Sequence, residues 1–255
     1  MTSTPGSAGP TGAVTPPPSE PIRRVARFTR AERWVHRTTA ALTLLCVATA
    51  AALYVPQLAE LVGRRDLVVT VHEWSGILLP APFVVGLASA AFRADLRRLN
   101  RFGPHDRRWL RAVRRRDRRR GSRPAGKFNA GQKIYASWIA GAVLVMLATG
   151  LLMWFTHLTP LVWRTSATFV HDWLALAIGV VLAGHIRMAL ADPEARRGMR
   201  TGSVERPWAE REHPLWLSDE PKGEPKEKPE GKPKDKSAER PEEGAEAGCR
   251  WRRTS

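Results

Sequence analysis

The chain has 255 residues, of which 43% are hydrophobic, and a formal net charge of +17 at pH 7. So basic a chain binds either nucleic acid or a membrane surface, and the clustering of its apolar residues into four blocks, with the arginines between them, favours a membrane. With only two cysteines, Cys46 and Cys249, it has neither a disulfide framework nor a cysteine-rich zinc or iron–sulfur motif, so seven histidines are the main supply of metal ligands.

The two ends of the chain differ in composition from the middle. Residues 1–21 are rich in Pro, Ser, Thr and Gly, and residues 218–255 are rich in Lys, Glu and Pro. Such segments bury too little apolar surface to fold, so we expect a disordered leader and a disordered tail around a domain at 22–217. No cleavable signal peptide is expected, because the first apolar run begins near Trp34 and is too long for one.

The four apolar blocks predict four transmembrane helices, at about 34–56, 70–92, 134–155 and 169–191. Each block is close to the roughly 20 residues that cross a bilayer as a helix. Pro80 and Pro82 should kink the second helix, which membrane proteins tolerate. The predicted fold class is therefore an all-α membrane protein built on a four-transmembrane-helix bundle.

The arginines orient this bundle. They are dense before the first helix, in the loop 93–127 and after the fourth helix, whereas the other two loops hold only Arg64, Arg65 and Arg164. Because positively charged loops stay on the cytoplasmic side, we expect both termini to be cytoplasmic. Nucleic-acid binding by residues 93–127 is the alternative, but a charge run that joins two spans is more often a determinant of topology.

Helix direction then gives four histidines a depth. His36 starts the first helix and His185 ends the fourth, so both lie near the cytoplasmic face; we call them the inner pair. His72 and His171 start helices that run inward, so they form an outer pair near the opposite face. His171 and His185 lie about 21 Å apart along one helix and within about 40° of the same face.

Two histidines that face each other across a helical bundle are typical axial ligands of a haem iron. A zinc site is less suitable, since it needs three or four ligands at one depth. A single histidine at a helix end is more often an interfacial or hydrogen-bonding residue, but two depth-matched pairs favour ligation. The histidines in loops and in the tail are expected to be solvated, namely His105, His157 and His213.

Small and basic residues on the spans are compatible with a cofactor. A flat ring could approach the backbone at five glycines, although ordinary helix packing explains glycines equally well. These are Gly76, Gly141, Gly150, Gly179 and Gly184. Three arginines near the inner pair could meet either haem propionates or lipid phosphates: Arg33, Arg37 and Arg187.

Several motifs match a known family. The most specific is GKFNAGQK, residues 126–133, before the third helix. Others are the basic start of the first helix with His36, GHIRMAL at the end of the fourth, and RPWAEREHPLW at 206–216. Over about 22–217 the chain resembles the membrane cytochrome b (gamma) subunit of respiratory formate dehydrogenase, within the di-haem cytochrome b561-type group.

The resemblance implies two haem b groups, with the same ligand pairs as above, and a menaquinone site near the inner pair. It maps the quinone site onto Asn129, Gly131 and Gln132, with His185 close by. Amide side chains can bond quinone carbonyls, and glycine allows close approach, although NAGQ could simply be a helix N-cap with Asn129 at the cap position.

The resemblance also implies partners and a location. Electrons would come from an iron–sulfur subunit, formate oxidation would lie on a separate catalytic subunit, and this chain would be an electron-transferring, quinone-reducing subunit in the bacterial cell membrane. The alternatives are the equivalent subunit of a hydrogenase or thiosulfate reductase, or a haem-free membrane anchor or transporter. No pair of broken helices or inverted repeat supports transport.

Overall fold

The computed structural model describes residues 23–117, 119 and 121–218. The predicted leader and almost all of the predicted tail lie outside these residues. In chain order the elements are β1 (Arg24–Ala26), α1 (Arg30–Tyr54), α2 (Pro56–Val62), α3 (Arg65–Leu78), α4 (Ala81–Gly86), α5 (Ala90–Leu99), α6 (Pro104–Arg114), α7 (Ala130–Trp154), α8 (Leu161–Ala191), α9 (Pro193–Thr201), β2 (Ser203–Glu205), α10 (Arg206–Glu212) and α11 (Pro214–Ser218).

Four helical segments are long and apolar enough to cross a membrane: α1, α3 together with α4, α7, and α8. Their large apolar side chains are mostly exposed, as at Leu144 and Val180, which are 65% and 67% exposed. Such surfaces are costly in water but stable against lipid chains. The chain is a multi-pass membrane protein, and the predicted fold class is confirmed.

The second span differs in detail from the predicted 70–92. It covers Arg65–Gly86 and is interrupted at Leu79 and Pro80, the first of the two prolines that were expected to kink it. A new helix, α5, then starts behind Ser89, whose hydroxyl accepts a hydrogen bond from the Phe92 N–H. Proline lacks the N–H that continues a helix, and a serine cap begins a new one, so the predicted single block becomes three helices.

Two helix pairs form the spanning part of the fold. Helix α1 packs on α3, and α7 packs on α8. A two-stranded sheet joins the segment before α1 to the segment after α9, on the side of the bundle where α1 begins and α8 ends, which we call the inner end. There β1 pairs antiparallel with β2, with Val25 opposite Val204. This small sheet was not predicted, because three-residue strands carry no detectable periodicity.

A glycine allows the chain to reach this sheet. Gly202 has φ +94°, and a Cβ built on it would lie 2.7 Å from the Phe28 carbonyl oxygen. The Gly202 carbonyl accepts hydrogen bonds from the N–H groups of Arg27 and Phe28. Gly202 therefore binds the same segment that an added Cβ would clash with. Any other residue here would be strained and would clash.

A compact group of side chains covers the sheet. Val204, Trp208, Ala209 and Trp216 are buried and form one apolar cluster. The sheet together with α10 and α11 is called the inner cap. Its sequence, RPWAEREHPLW, is therefore an ordered structural unit at the inner end of the bundle.

A buried ion pair connects α6 to α7. Lys133 Nζ lies 2.8 Å from Asp106 Oδ2 and 2.9 Å from the carbonyl oxygen of Arg101. Asp106 is fully buried and Lys133 is 6% exposed. The same carboxylate accepts a hydrogen bond from the Gly103 N–H at the start of α6. Buried charges are stable only when paired in this way.

Replacement of Lys133 by methionine should strongly destabilise the protein. The change would leave the Asp106 carboxylate buried without its cation, which typically costs about 3–5 kcal/mol. Thermal unfolding of the purified chain in detergent measures the effect. Arg98→Ala is the matched control, because Arg98 pairs with Asp95 but its side chain is 56% exposed; its loss should cost at most about 1 kcal/mol. Equal melting temperatures for the two variants would contradict this reading.

Candidate functional site

The four histidines meet in the two pairs that helix direction predicted. The rings of His36 and His185 have centroids 6.4 Å apart, at an interplanar angle of 47°. The rings of His72 and His171 have centroids 6.2 Å apart, at 68°. Helix α8 supplies one member of each pair, while α1 and α3 supply the others.

The ring separations fit a metal ion between the imidazoles. A metal–imidazole nitrogen bond is about 2.0 Å long, so two such bonds on opposite sides of one ion place the ring centroids about 6 Å apart. Rings in direct hydrogen-bonded or stacked contact would be closer. Both pairs therefore have the spacing of axial ligands on a haem iron.

The glycines of the spans have different surroundings. A Cβ added at Gly76, Gly141, Gly179 or Gly184 would meet no described atom within 4 Å beyond the glycine's own stretch of helix. At Gly150 it would lie 3.5 Å from Cε1 of His171, so Gly150 adjoins the outer pair. The other four glycines do not fill tight contacts between helices, which disfavours the packing alternative for them.

The arginines near the inner pair have a structural partner. Arg33 and Arg37 both donate to the carbonyl oxygen of Arg200, at 2.7 and 2.9 Å. Arg200 lies in the last turn of α9, where backbone carbonyls lack helical partners. These two guanidinium groups thus cap α9, an arrangement that the sequence did not predict.

The NAGQ motif forms the N-terminus of α7. The Asn129 side-chain oxygen accepts from the Gln132 N–H at 2.9 Å, and the Gln132 side-chain oxygen accepts from the Asn129 N–H at 3.0 Å. This capping box is the helix cap that the sequence offered as an alternative. Because a backbone N–H requires an acceptor, the box fixes which end of each amide is oxygen. Neither NH₂ group takes part in the cap, and among the residues that the structure describes neither donates a hydrogen bond.

Gly131 is explained by packing. A Cβ there would lie 3.1 Å from the indole of Trp109 on α6. One helical turn further along α7, Tyr135 stacks on His185, with centroids 4.7 Å apart and planes at 10°. Residues four apart share a helix face. The face that carries Gly131 therefore leads directly to the inner pair, and Tyr135 is a site residue that sequence reasoning missed.

The loop before α7 is held by three hydrogen bonds. The Leu215 N–H donates to the Ala125 carbonyl at 3.1 Å. His213 Nδ1 donates to the Gly126 carbonyl at 2.7 Å, and the Arg27 guanidinium donates to the Lys127 carbonyl at 2.9 Å. The inner cap and the N-terminal segment thus fix three successive carbonyls, of which two belong to the GKFN segment and one to the alanine before it.

Arg27 and His213 form the buried centre of this contact. A guanidinium nitrogen of Arg27 lies 3.0 Å from His213 Nε2, so Nε2 accepts and the ring proton is on Nδ1. The guanidinium carbon also lies 4.8 Å from the Trp208 ring centroid and 5.6 Å from that of Trp216. Burial lowers the pKa of Arg27 to about 10, which leaves it charged at neutral pH.

His213 was expected to be solvated, and this prediction was wrong. The residue is 3% exposed. The apolar cluster around Trp208 and Trp216 places it under the inner cap, and burial together with the charge of Arg27 lowers its pKa to about 3. The exposed position of His157 agrees with the prediction, whereas His105 is half-buried beside Asp106.

Lys127 joins the loop to the first helix. Its ammonium lies 3.0 Å from a carboxylate oxygen of Glu32 and also bonds Asp95. All three side chains are at most 8% exposed. Burial and the neighbouring Glu32 raise the pKa of Asp95 to about 6, against the opposing effect of Lys127. The GKFNAGQK motif is therefore anchored by two buried lysines, of which Lys133 is the other.

Within residues 23–117, 119 and 121–218, no group of three or more His, Cys, Asp or Glu side chains could hold a metal ion. Each histidine pair could therefore offer two ligands but not the three or four of a zinc site. Two facing imidazoles fit a haem, whose macrocycle would supply the other donors to the iron.

Four spanning helices and two facing histidine pairs define the class of membrane b-type cytochromes. Residues 27–202 match the family described as prokaryotic cytochrome b561, and the chain belongs to that family. The family name implies haem b.

Three curated relatives are similar to the chain. It is 27% identical over 207 residues to the formate dehydrogenase cytochrome b556 subunit of Haemophilus influenzae, covering 77% of this chain and 84% of the relative. It is 26% identical to the cytochrome b556(fdo) subunit of formate dehydrogenase in Escherichia coli K12, covering 76% and 92%. A match of 31% to the nitrate-inducible b556(Fdn) subunit of the same strain covers 39% of this chain and 47% of that protein.

His213→Gln should reduce the loss of stability on acidification. A glutamine can donate to Gly126 and accept from Arg27, as neutral His213 does, but cannot be protonated. The folded protein holds His213 neutral, with a pKa of about 3 against 6.5 for the exposed ring. Its contribution is therefore complete above about pH 6.5 and is lost as pH falls towards 3, by up to about 1.4 kcal/mol per pH unit.

The raised pKa of Asp95 acts in the opposite sense between about pH 6 and pH 4, so the variant must be compared with the wild type at each pH. We expect the difference in melting temperature to move in favour of His213→Gln as pH is lowered from about 7.5 to about 4.5. A difference that stays constant over this range would contradict the buried neutral histidine.

Proposed function

We propose that this chain is the membrane cytochrome b subunit of a respiratory formate dehydrogenase, which binds two haem b groups and reduces menaquinone. The observation that carries the proposal is the presence of two histidine pairs, with ring centroids 6.2 and 6.4 Å apart, at the two ends of one helix bundle. Membership of the prokaryotic cytochrome b561 family supports the haem.

The choice of formate rests on the relatives. The three named above are formate dehydrogenase subunits, two of them aligned over most of their length. These names favour formate over hydrogen or thiosulfate as the substrate of the partner enzyme. The haem-free alternative, an anchor or transporter, does not account for two histidine pairs with the spacing of axial ligands.

The proposed orientation places both termini on the cytoplasmic side of the bacterial cell membrane. Exposed arginines cluster on α5, α6 and the loop that follows. Buried ion pairs join α5 and α6 to the GKFNAGQK segment, which also contacts the inner cap, so these elements lie at the inner end of the bundle. The outer pair then faces an iron–sulfur subunit outside, which would receive electrons from the catalytic subunit that oxidises formate.

The two histidine pairs would bind one haem each, at two depths in the membrane. His72 and His171 would hold the outer haem, and His36 and His185 the inner haem. When bound, the haems supply one-electron redox chemistry and connect the partner subunit to the quinone. The apolar helices exclude water and lower the dielectric around the ligands.

The quinone would bind where α7 begins. There the free NH₂ groups of Asn129 and Gln132 can donate to a quinone carbonyl. Tyr135 and His185, stacked on each other, extend the same helix face towards the inner pair. The position at the inner end gives protons from the cytoplasm access to the reduced quinone, while the ties from Arg27 and His213 keep the loop in place.

Replacement of His185 by alanine should remove the inner haem and leave the outer one. His185 is an inner ligand and sits beside the proposed quinone site, whereas the outer ligands lie about 21 Å away along the bundle. Reduced-minus-oxidised spectra should show two b haems per wild-type chain and one per variant chain. The partner subunits should still reduce the remaining haem, and menaquinone reduction should be lost.

His157→Ala is the control, because His157 is exposed and belongs to neither pair. Retention of both haems in the His185 variant would refute the pairing. A wild-type protein without any b-type signal would refute the proposed function as a whole.

Asn129→Asp separates the helix cap from the quinone site. Aspartate keeps the oxygen that accepts from the Gln132 N–H and is itself a strong N-cap, but it has no NH₂ group. Loss of one hydrogen bond to the quinone, worth about 0.5–1.5 kcal/mol, should raise the KM for a menaquinone analogue about three- to tenfold. Steady-state quinone reduction by the full complex measures this.

Thr29→Asp is the matched control for this experiment. Thr29 occupies the same cap position on α1, with Glu32 completing its capping box as Gln132 does on α7. This change should leave the KM unaltered. An Asn129→Asp protein with normal haem spectra and an unchanged KM would show that the motif only caps the helix.

A further inference from the structure

A threonine hydroxyl contacts each histidine of the outer pair. Thr49 Oγ1 on α1 lies 2.8 Å from His72 Nδ1. Thr149 Oγ1 on α7 lies 2.9 Å from His171 Nδ1. Both threonines are buried, at 8% exposure, within membrane-spanning helices. A hydroxyl and a ring nitrogen at this distance form a hydrogen bond.

The direction of these two bonds follows from the remaining contacts of the hydroxyls. Thr49 donates to the Leu45 carbonyl at 2.8 Å, and Thr149 donates to the Val145 carbonyl at 2.8 Å. A hydroxyl has one proton, so each threonine must accept from the histidine. His72 and His171 therefore carry their ring proton on Nδ1, and Nε2 is left with the lone pair that a metal requires.

The inner pair is supported differently. Among residues 23–117, 119 and 121–218, no hydrogen bond is formed by the ring nitrogens of His36 or His185. His185 is instead stacked on Tyr135. The two pairs have similar ring separations, so they differ mainly in the groups around the ligands.

The same support arises twice from a repeated sequence pattern. Thr49 and Thr149 occupy the same position in two 25-residue helices, and each follows an alanine, in VATA and LATG. Their histidines lie in VHEW and VHDW, on the helix that packs on the threonine's helix. Two helix pairs with matching threonines and matching histidines argue against a chance contact.

We propose that Thr49 and Thr149 are positioning residues that fix the outer histidines as Nε2 ligands and lower the reduction potential of the outer haem relative to the inner one. This rests on the proposed function, since it assumes that the pairs bind haem. A hydrogen bond from Nδ1–H makes the imidazole a stronger base, and a more basic ligand stabilises the oxidised iron. The difference between the pairs would favour electron flow from the outer end to the inner end.

Redox titration of the haems in the purified full complex tests this inference. Thr149→Val and Thr49→Val remove the hydroxyl with little change in shape. In each variant the midpoint potential of the outer haem should rise, while that of the inner haem should not move. The outer haem is identified as the spectral component that His72→Ala removes. Thr149→Ser, which keeps the hydroxyl, should restore the wild-type potential.

Thr43→Val is the matched control. Thr43 lies on α1 and donates to the Thr39 carbonyl at 2.8 Å, as Thr49 does to its own helix, but within the described part of the chain it forms no hydrogen bond to a histidine. It should leave both potentials unchanged. Loss of the outer haem from Thr149→Val but not from Thr149→Ser would also support the positioning role.

Two b haems with unchanged potentials in both valine variants would overturn the inference and leave the proposed function intact. An equal shift in Thr43→Val would overturn it as well. A wild-type chain without b haem would contradict the proposed function instead, so the two failures are distinguishable.

Discussion

The interval of fourteen residues between His171 and His185 is the constraint on which the rest of the site depends. It places two ring nitrogens on one face of one uninterrupted helix, about 21 Å apart. Every other part of the site is arranged around α8: α1 and α3 each bring one histidine to it, and α7 brings the capping box and Tyr135. A break in α8 like that at Pro80 in the second span would separate the two depths and misalign both pairs.

The inner end of the bundle shows how polar groups are accommodated beside a membrane. Lys127, Lys133, Arg27 and their partners are buried, and each cation meets a carboxylate, a carbonyl or an aromatic face. These contacts link segments that are far apart in the chain, such as Arg27 and His213. The loop that leads into α7 is thus fixed from both ends of the domain, which suits a site that must hold a ligand in one orientation.

Helix direction and arginine distribution were sufficient to predict which histidines meet, because the apolar blocks and the arginines between them are both visible in the sequence. The four spans were also predictable from hydropathy, apart from the division of the second span. The inner cap was not predictable from the sequence. The burial of His213 depends on Trp208 and Trp216, and the polar sequence RPWAEREHPLW does not indicate that these tryptophans are buried. The threonines beside the outer pair escaped notice because a single threonine in an apolar helix has no periodic signature, and its partner lies 22 or 23 residues away. Haem ligation and the quinone site remain predictions.

The capping box at Asn129 and Gln132 has a consequence for turnover. Each side-chain oxygen already accepts one hydrogen bond from the backbone, whereas the capping box uses neither NH₂ group. This edge of the proposed quinone site is therefore a better donor than acceptor. An oxidised quinone presents a carbonyl, which suits two donors, whereas the reduced form presents a hydroxyl, which is a weaker acceptor. The same two residues that start a helix would therefore bind the proposed substrate more tightly than its product.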